Sequence, residues 1–404
     1  MKRNNIFYLI RNEFKSNKID FIRKSLIFFL SIEVISLSFS IAVSSISFGI
    51  SVFLWILLIY YIRKWEKTPL DYLFILFIIS EIISAIFSED PSRAITNTKR
   101  VFIFSVFYMV FWAFKNYNEI KQFFKIFILF ITVLSLFEII EKFIFHIDRI
   151  GIFQHYMTTG GIKMIISLYM LPMIFNKNLN KNERIILILS FIIIFFTLVL
   201  TMTRSSWLGF LAGVIFFILF YNKKYVLYFL IIFVLFGIFA PTKIKERALS
   251  SFDPNHPSNR TRIHMITTGF EIFKDYPIFG IGDIDVKNIY LRYTIPYEKA
   301  EGGHLHNNFM QILVCLGLFG LIIFVLIFVF LFIYLFKNYK YVEKNEELKL
   351  LSIIPIIVFV AFHVNGLFEW NFGDQEIAIL FWFTMGLSQI GKNLLNFNKN
   401  MVVK

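Results

Sequence analysis

The stretch "HNNFMQILVCLGLFGLIIFVLIFVFLFIYLF", His306 to Phe336, contains no Asp, Glu, Lys or Arg. About 20 apolar residues in a helix cross the roughly 30 Å hydrocarbon layer of a bilayer, so this run spans it with residues to spare. No period-two alternation suggests a barrel strand, and the run reads as a membrane helix. Its first residues raise a chemical question. A histidine and two asparagines at a membrane boundary are costly unless they are used.

The rest of the chain repeats the pattern. Over 404 residues it is 57% hydrophobic and 17% charged, with a mean hydropathy of +0.69. Soluble domains carry about 25% charged residues. The expected architecture is one integral, all-α polytopic membrane domain over 1–404, with about twelve transmembrane helices. They are expected near 25–43, 47–62, 70–87, 101–114, 123–145, 161–175, 185–202, 206–221, 225–240, 307–336, 349–366 and 375–391. The first two come from one apolar stretch, split at "SSIS" (Ser44–Ser47). "IAVSS" (Ile41–Ser45) imitates a signal-peptide cleavage site, but the apolar stretch runs on to Ile62, so an uncleaved anchor is expected.

A formal charge of +14 would point to nucleic acid in a soluble protein. Here its distribution assigns it to topology, and no nucleic-acid partner is expected. With the N-terminus inside, the segments on the cytoplasmic side hold 25 of the 41 lysines and arginines. Most of the outer basic residues belong to one long segment, which crosses regardless of charge, so the short loops give a positive-inside answer with both termini cytoplasmic. Residues 241–303 then form the one large outer loop, and all seven histidines fall on the outer side or in the outer half of a helix. The single Cys315 excludes a disulfide framework or a cysteine metal site.

Four stretches could carry chemistry. In "TMTRSSWLG" (Thr201–Gly209), Arg204 lies between two apolar runs, and Ser205 and Ser206 are placed to cap the next helix. The outward helix N-terminus and the guanidinium together suit an anion; a snorkelling arginine on a lipid headgroup would use the same position. In "SNRTRIHMITTGFEIFKDYPIFGIG" (Ser258–Gly282), Ile263, Ile266, Phe270 and Phe273 recur at helical spacing. Arg260 and Arg262 stand at the start of that amphipathic helix, where a cation opposes the dipole and a bound diphosphate would relieve it. "GIGDID" (Gly280–Asp285) lacks the strand and third glycine of a dinucleotide site, and its Asp283-x-Asp285 pair is too common in loops to imply a metal. Finally, if a helix begins near His306, then Met310, Leu313, Gly317 and Gly320 lie within about 40° of its direction. The two glycines would let a neighbouring helix approach below the imidazole. His306 is then either a packed cap or a held catalytic group.

Taken together, these segments resemble the O-antigen ligase and O-antigen polymerase family. "HNNFMQILVCLGLFG" (His306–Gly320) has the H-N-x9-G-x-x-G pattern of the ligases. "TMTRSSWLG" is similar to their arginine-bearing helix junction, and "NRTRIHMITTGFEIFKDYPIFGIG" to their outer segment with its P-x-x-G-x-G turn. "GIFQHYMTTGG" (Gly151–Gly161) is similar to a further stretch common in such proteins. The acidic Asp283 and Asp285 depart from the apolar or proline-containing turn of that family.

The resemblance implies a glycosyltransferase of the bacterial inner membrane with its site facing the periplasm. It would transfer a glycan from undecaprenyl diphosphate to lipid A–core, without a metal or other cofactor. It implies His306 as catalytic base and Arg204 and Arg262 as diphosphate ligands with Arg260 an alternative; Asn307, directly after His306, is expected to orient the ring or bind the acceptor. The residue chemistry is compatible: an imidazole suits the weakly nucleophilic sugar hydroxyl, and arginines can stabilise the departing diphosphate. Without a paired-carboxylate motif, one-step inverting displacement is expected. Rival expectations are a polymerase, a ligase that glycosylates protein, and an anion or polyisoprenoid transporter. The last should show related halves with broken helices, and the sequence shows neither.

Overall fold

The computed structural model describes residues 2–221, 223, 225–294 and 303–402. Residues 295–302 of the expected outer loop lie outside that set. Among the described residues the chain is helical throughout, without a strand. The helices are α1 (Lys2–Ser36), α2 (Ile41–Ile62), α3 (Asp71–Ile86), α4 (Pro91–Asn97), α5 (Ser105–Ala113), α6 (Tyr117–Ile144), α7 (Tyr156–Ile174) and α8 (Lys181–Leu200). There follow α9 (Arg204–Tyr221), α10 (Tyr225–Phe239), α11 (Thr242–Leu249), α12 (Pro257–Asp275), α13 (Lys287–Tyr293), α14 (Asn308–Val342), α15 (Glu346–Gly366) and α16 (Gln375–Val402). A 3-10 segment, Thr98–Phe104, runs directly into α5.

Seven of these, α2, α6, α7, α8, α9, α14 and α15, are long and apolar enough to cross a bilayer. The chain is an all-helical polytopic membrane protein. Each of the twelve expected spans meets a helix, but α3, with 16 residues, and α10, with 15, are short for a span. The expected span at 101–114 divides into the 3-10 segment and a nine-residue α5.

Local chemistry sets the helix starts. Asn116, Asn180, Asn307 and Asn345 each cap a helix, their side chains accepting from Glu119, Glu183, Met310 and Leu348 N–H at 2.8–3.0 Å. The first break differs from expectation. It falls at 37–40, where Ser40 caps α2, and Ser44, Ser47 and Ser51 lie buried inside the helix. α2 packs against α1, and small buried serines allow close helix packing rather than a break. α7 and α15 form the centre of the bundle, with 78% and 72% of their apolar windows buried, against 22% for the peripheral α2.

The outer segment packs by a device that explains two glycine motifs at once. Gly317 interrupts α14, with φ 65° and ψ −167°. The freed carbonyls of Val314 and Cys315 accept from Ile281 and Gly282 N–H at 3.0 and 2.9 Å. The freed N–H groups of Leu318 and Phe319 donate to Pro277 and Ile278 carbonyls at 2.9 and 3.2 Å. Residues 277–282 thus replace the hydrogen bonds lost in the helix, which is how irregular backbone is tolerated at membrane depth. The expectation of a neighbouring helix gliding over Gly317 and Gly320 is corrected: a loop docks at Gly317, and Gly320 faces Leu316 of its own element.

α12 forms where an amphipathic helix is expected, but its inner face is turned. Met265, Thr268, Gly269 and Ile272 are buried and Ile266 and Phe273 of the expected stripe pack against the core, whereas Ile263 and Phe270 are about half exposed, at 50% and 48%. Gly269 lies against the Met310 side chain, so the small residue lets α12 approach α14 closely.

Candidate active site

His306 does not begin α14. Asn307 is the N-cap, and His306 precedes it with φ 47°, a left-handed conformation uncommon for a residue with a side chain. The turn is held from both sides. Leu305 N–H donates to Gln311 Oε1 at 2.8 Å, and Asn307 Nδ2 donates to the Leu367 carbonyl at 2.8 Å. This aims the imidazole at Glu369, in the turn between α15 and α16, with His306 Nδ1 2.8 Å from Glu369 Oε1.

Glu369 is 7% exposed. Burial pushes its carboxyl up, but the His306 hydrogen bond and the charges of His306, His304 and Arg262 outweigh burial and hold it below the ordinary glutamate value. An ionised carboxylate only accepts, so Nδ1–H donates to it, and in the neutral form of the ring the lone pair is on Nε2. His304 lies beside this pair, its ring centroid 4.2 Å from that of His306. Burial, then the charge of His306, pushes its imidazole down to about 4. Asn307 acts on the helix and on Leu367, so its amide orients the turn that carries His306.

One arginine approaches Glu369 directly. Arg262 Nη2 lies 3.9 Å from Glu369 Oε2, and its side chain is 19% exposed. Arg260, on the same helix, is exposed. Arg204 is buried at 6% exposure. Its guanidinium donates to Ser250 Oγ at 3.0 Å, Ser258 Oγ at 2.5 Å and Asn259 Oδ1 at 2.6 Å. It therefore clamps α12 to the start of α9, where it is the first helical residue; Ser205 and Ser206 lie inside that first turn rather than capping it.

Two further arginines escaped the sequence. Arg247 Nε donates to the Met202 carbonyl at 3.1 Å. Its guanidinium is pushed down to about 10 by burial and then by the charges of Arg149, Arg204 and Arg262. Arg149 stacks over the Tyr156 ring at 4.6 Å. Four like charges within mutual influence form a region that a phosphate-bearing ligand would stabilise.

A buried amide chain fixes one half of the site against the other. Asn365 Nδ2 donates to Ser206 Oγ at 3.1 Å, and Asn371 Nδ2 donates to Asn365 Oδ1 at 3.0 Å. Asn308 Nδ2 donates in turn to Asn371 Oδ1, so α9, α15, the 367–374 turn and α14 are joined directly. The Asp283-x-Asp285 pair does not converge on a shared ligand. Asp283 Oδ1 accepts from Arg100 at 3.2 Å, and Asp285 Oδ1 accepts from Lys287 N–H at 3.0 Å.

Residues 189–325 match the family model described as O-antigen ligase. Three of the motif segments that carry the resemblance, Thr201–Gly209, Asn259–Gly282 and His306–Gly320, lie within the match, and Gly151–Gly161 lies outside it. No curated protein matches the chain. The matched segment holds Arg204, Arg247, Arg260, Arg262, His304, His306 and Asn307, together with the Gly317 break. Glu369 and Arg149 lie outside it. Glu369 is the residue that sequence reading missed most plainly. Its one visible signal is an acid beside a tryptophan in "FEWNFGDQE" (Phe368–Glu376), between two apolar runs.

Proposed function

We propose that this protein is an O-antigen ligase that moves a glycan from undecaprenyl diphosphate onto lipid A–core at the periplasmic face of the bacterial inner membrane. The observation that carries the proposal is the His306–Glu369 pair, 2.8 Å apart, bordered by Arg262 and the arginine cluster. In this mechanism His306 Nε2 takes the proton of an acceptor sugar hydroxyl as its oxygen attacks the anomeric carbon. The bond from that carbon to the diphosphate oxygen breaks, and the diphosphate leaves with the electron pair. Glu369 stabilises the imidazolium that forms, and Arg204, Arg247 and Arg262 stabilise the charge on the leaving group. A single displacement inverts the anomeric centre. Asn307 orients the base through its turn, and the surrounding lipids supply the donor's polyprenyl tail with an apolar medium.

The test is transfer by purified protein and lipopolysaccharide banding in a deletion strain. General-base catalysis is worth about 10²–10⁴-fold, so His306→Ala should insert at normal levels, bind donor and lose transfer by that factor. In the strain, capping should vanish while lipid-linked polymer accumulates. A well-inserted His306→Ala with normal turnover would remove the base assignment, and a cap of single repeat units would reassign the protein as a polymerase.

A further inference from the structure

Among the described residues, one group of histidines and acids is arranged to hold a metal ion: His304, His306 and Glu369, with one ligand atom from each lying within 4.8 Å of the others. Two imidazoles and a carboxylate are the donor set of several three-ligand zinc sites, in which a fourth position stays open. The arrangement is built rather than accidental in its backbone. The left-handed His306 folds the chain so that rings two residues apart meet edge to face at 67°, and the intervening Leu305, 2% exposed, anchors the turn in the core. Glu369 Oε2 is buried without a hydrogen bond among the described residues, its nearest cation being Arg262 at 3.9 Å. A buried carboxylate oxygen left in that state is open to a ligand.

We propose that His304, His306 and Glu369 form a reversible transition-metal site, selective for zinc-like ions, whose occupancy switches off the transfer reaction. The nitrogen that faces Glu369 is His306 Nδ1, so a metal held by both displaces the Nδ1 proton, the neutral ring then carries its proton on Nε2, and no lone pair is left to act as base. Metal binding and base catalysis at this residue therefore exclude one another. Arg262 bears on whether the ion is resident. A guanidinium beside the carboxylate ligand opposes a dication, which favours exchangeable occupancy over a permanent one. The inhibitory consequence rests on His306 being the base, as proposed above; the site itself does not.

Cobalt(II) distinguishes the two claims, because its binding is read by visible absorption without any turnover. Tag-free protein in detergent, stripped with EDTA, should retain transfer. It should then bind one equivalent of cobalt(II) with a four-coordinate spectrum, displaced by zinc, and lose transfer with the same midpoint. His304→Ala should keep most of its transfer yet bind cobalt far more weakly, by more than the roughly 10–100-fold typical of losing an outer-shell partner. Zinc inhibition should weaken in parallel. Active wild-type protein that shows no cobalt spectrum would overturn the site, as would inhibition of His304→Ala at an unchanged midpoint. Cobalt bound without inhibition would overturn the switch. A cobalt spectrum on protein with no transferase activity under any condition would sustain the site and sink the ligase proposal instead.

Discussion

Glu369→Gln keeps the size of the side chain and removes its charge, so it isolates what the carboxylate does for His306. The imidazolium formed during proton transfer would lose its partner, while the turn over 367–374 keeps its shape. The expected result is a fall in kcat smaller than the about 10²–10⁴-fold assigned to the base itself, with acceptor KM little changed. Steady-state kinetics on the purified variant checks this, and an unaltered kcat would reduce Glu369 to a structural partner. At Arg204, lysine keeps the charge but cannot reach Ser250, Ser258 and Asn259 together. Arg204→Lys should therefore raise donor KM and lower transfer, and Arg262→Lys should do likewise. Arg260→Lys should be milder, because Arg260 is exposed. If Arg204→Ala inserts and transfers normally, the arginine serves neither donor nor scaffold.

The break in α14 makes a separate demand on the backbone. A side chain at Gly317 would sit 2.3 Å from the Ile278 carbonyl oxygen, in a conformation that L-residues adopt only under strain. Backbone strain of this kind costs on the order of 1–3 kcal/mol before the collision is counted. Gly317→Ala should lower the thermal unfolding midpoint in detergent and loosen residues 277–282 from the helix, detectable as faster amide exchange at Ile281 and Gly282. Gly49, in α2, has open space around it, so Gly49→Ala is the matched control and should be neutral to slightly stabilising. Equal destabilisation by both would show that the docking at Gly317 is not special. The P-x-x-G-x-G turn and the G-x-x-G of the helix are each visible in sequence, but only their hydrogen bonds to one another explain why both are present.

Across the bundle, the starts of α7, α9 and α14 and the end of α15 meet at one end, joined by the bonds from Asn365 to Ser206, Asn308 to Asn371 and Thr158 to Asp374. The candidate site residues lie there, on the side that the lysine and arginine distribution predicts to be the outer one. Reporter fusions after Lys224, within 255–257 and after Lys340 should read cytoplasmic, periplasmic and cytoplasmic. A cytoplasmic signal at 255–257 would place the site on the wrong face for a periplasmic acceptor.

Apolar runs, their lengths and the charges between them determine by themselves that the chain is a helical membrane protein and roughly where its helices lie, because bilayer insertion responds to local composition. The short spacing of His306 and Asn307, and of Arg260 and Arg262, likewise exposes the groups at helix starts. Which of them meet is another matter. Glu369 reaches His306 across 63 positions of chain, and Arg204 reaches Ser258 across 54. No periodicity connects such residues; they converge because α9, α14 and α15 pack side by side and their buried amides must find partners. Ser44 and Ser47 read as a break yet lie buried inside α2, and the inner face of α12 takes in Gly269 with only part of the apolar stripe. Tertiary packing decided those points, since contact area and hydrogen-bond satisfaction are properties of neighbours that the chain acquires only when folded.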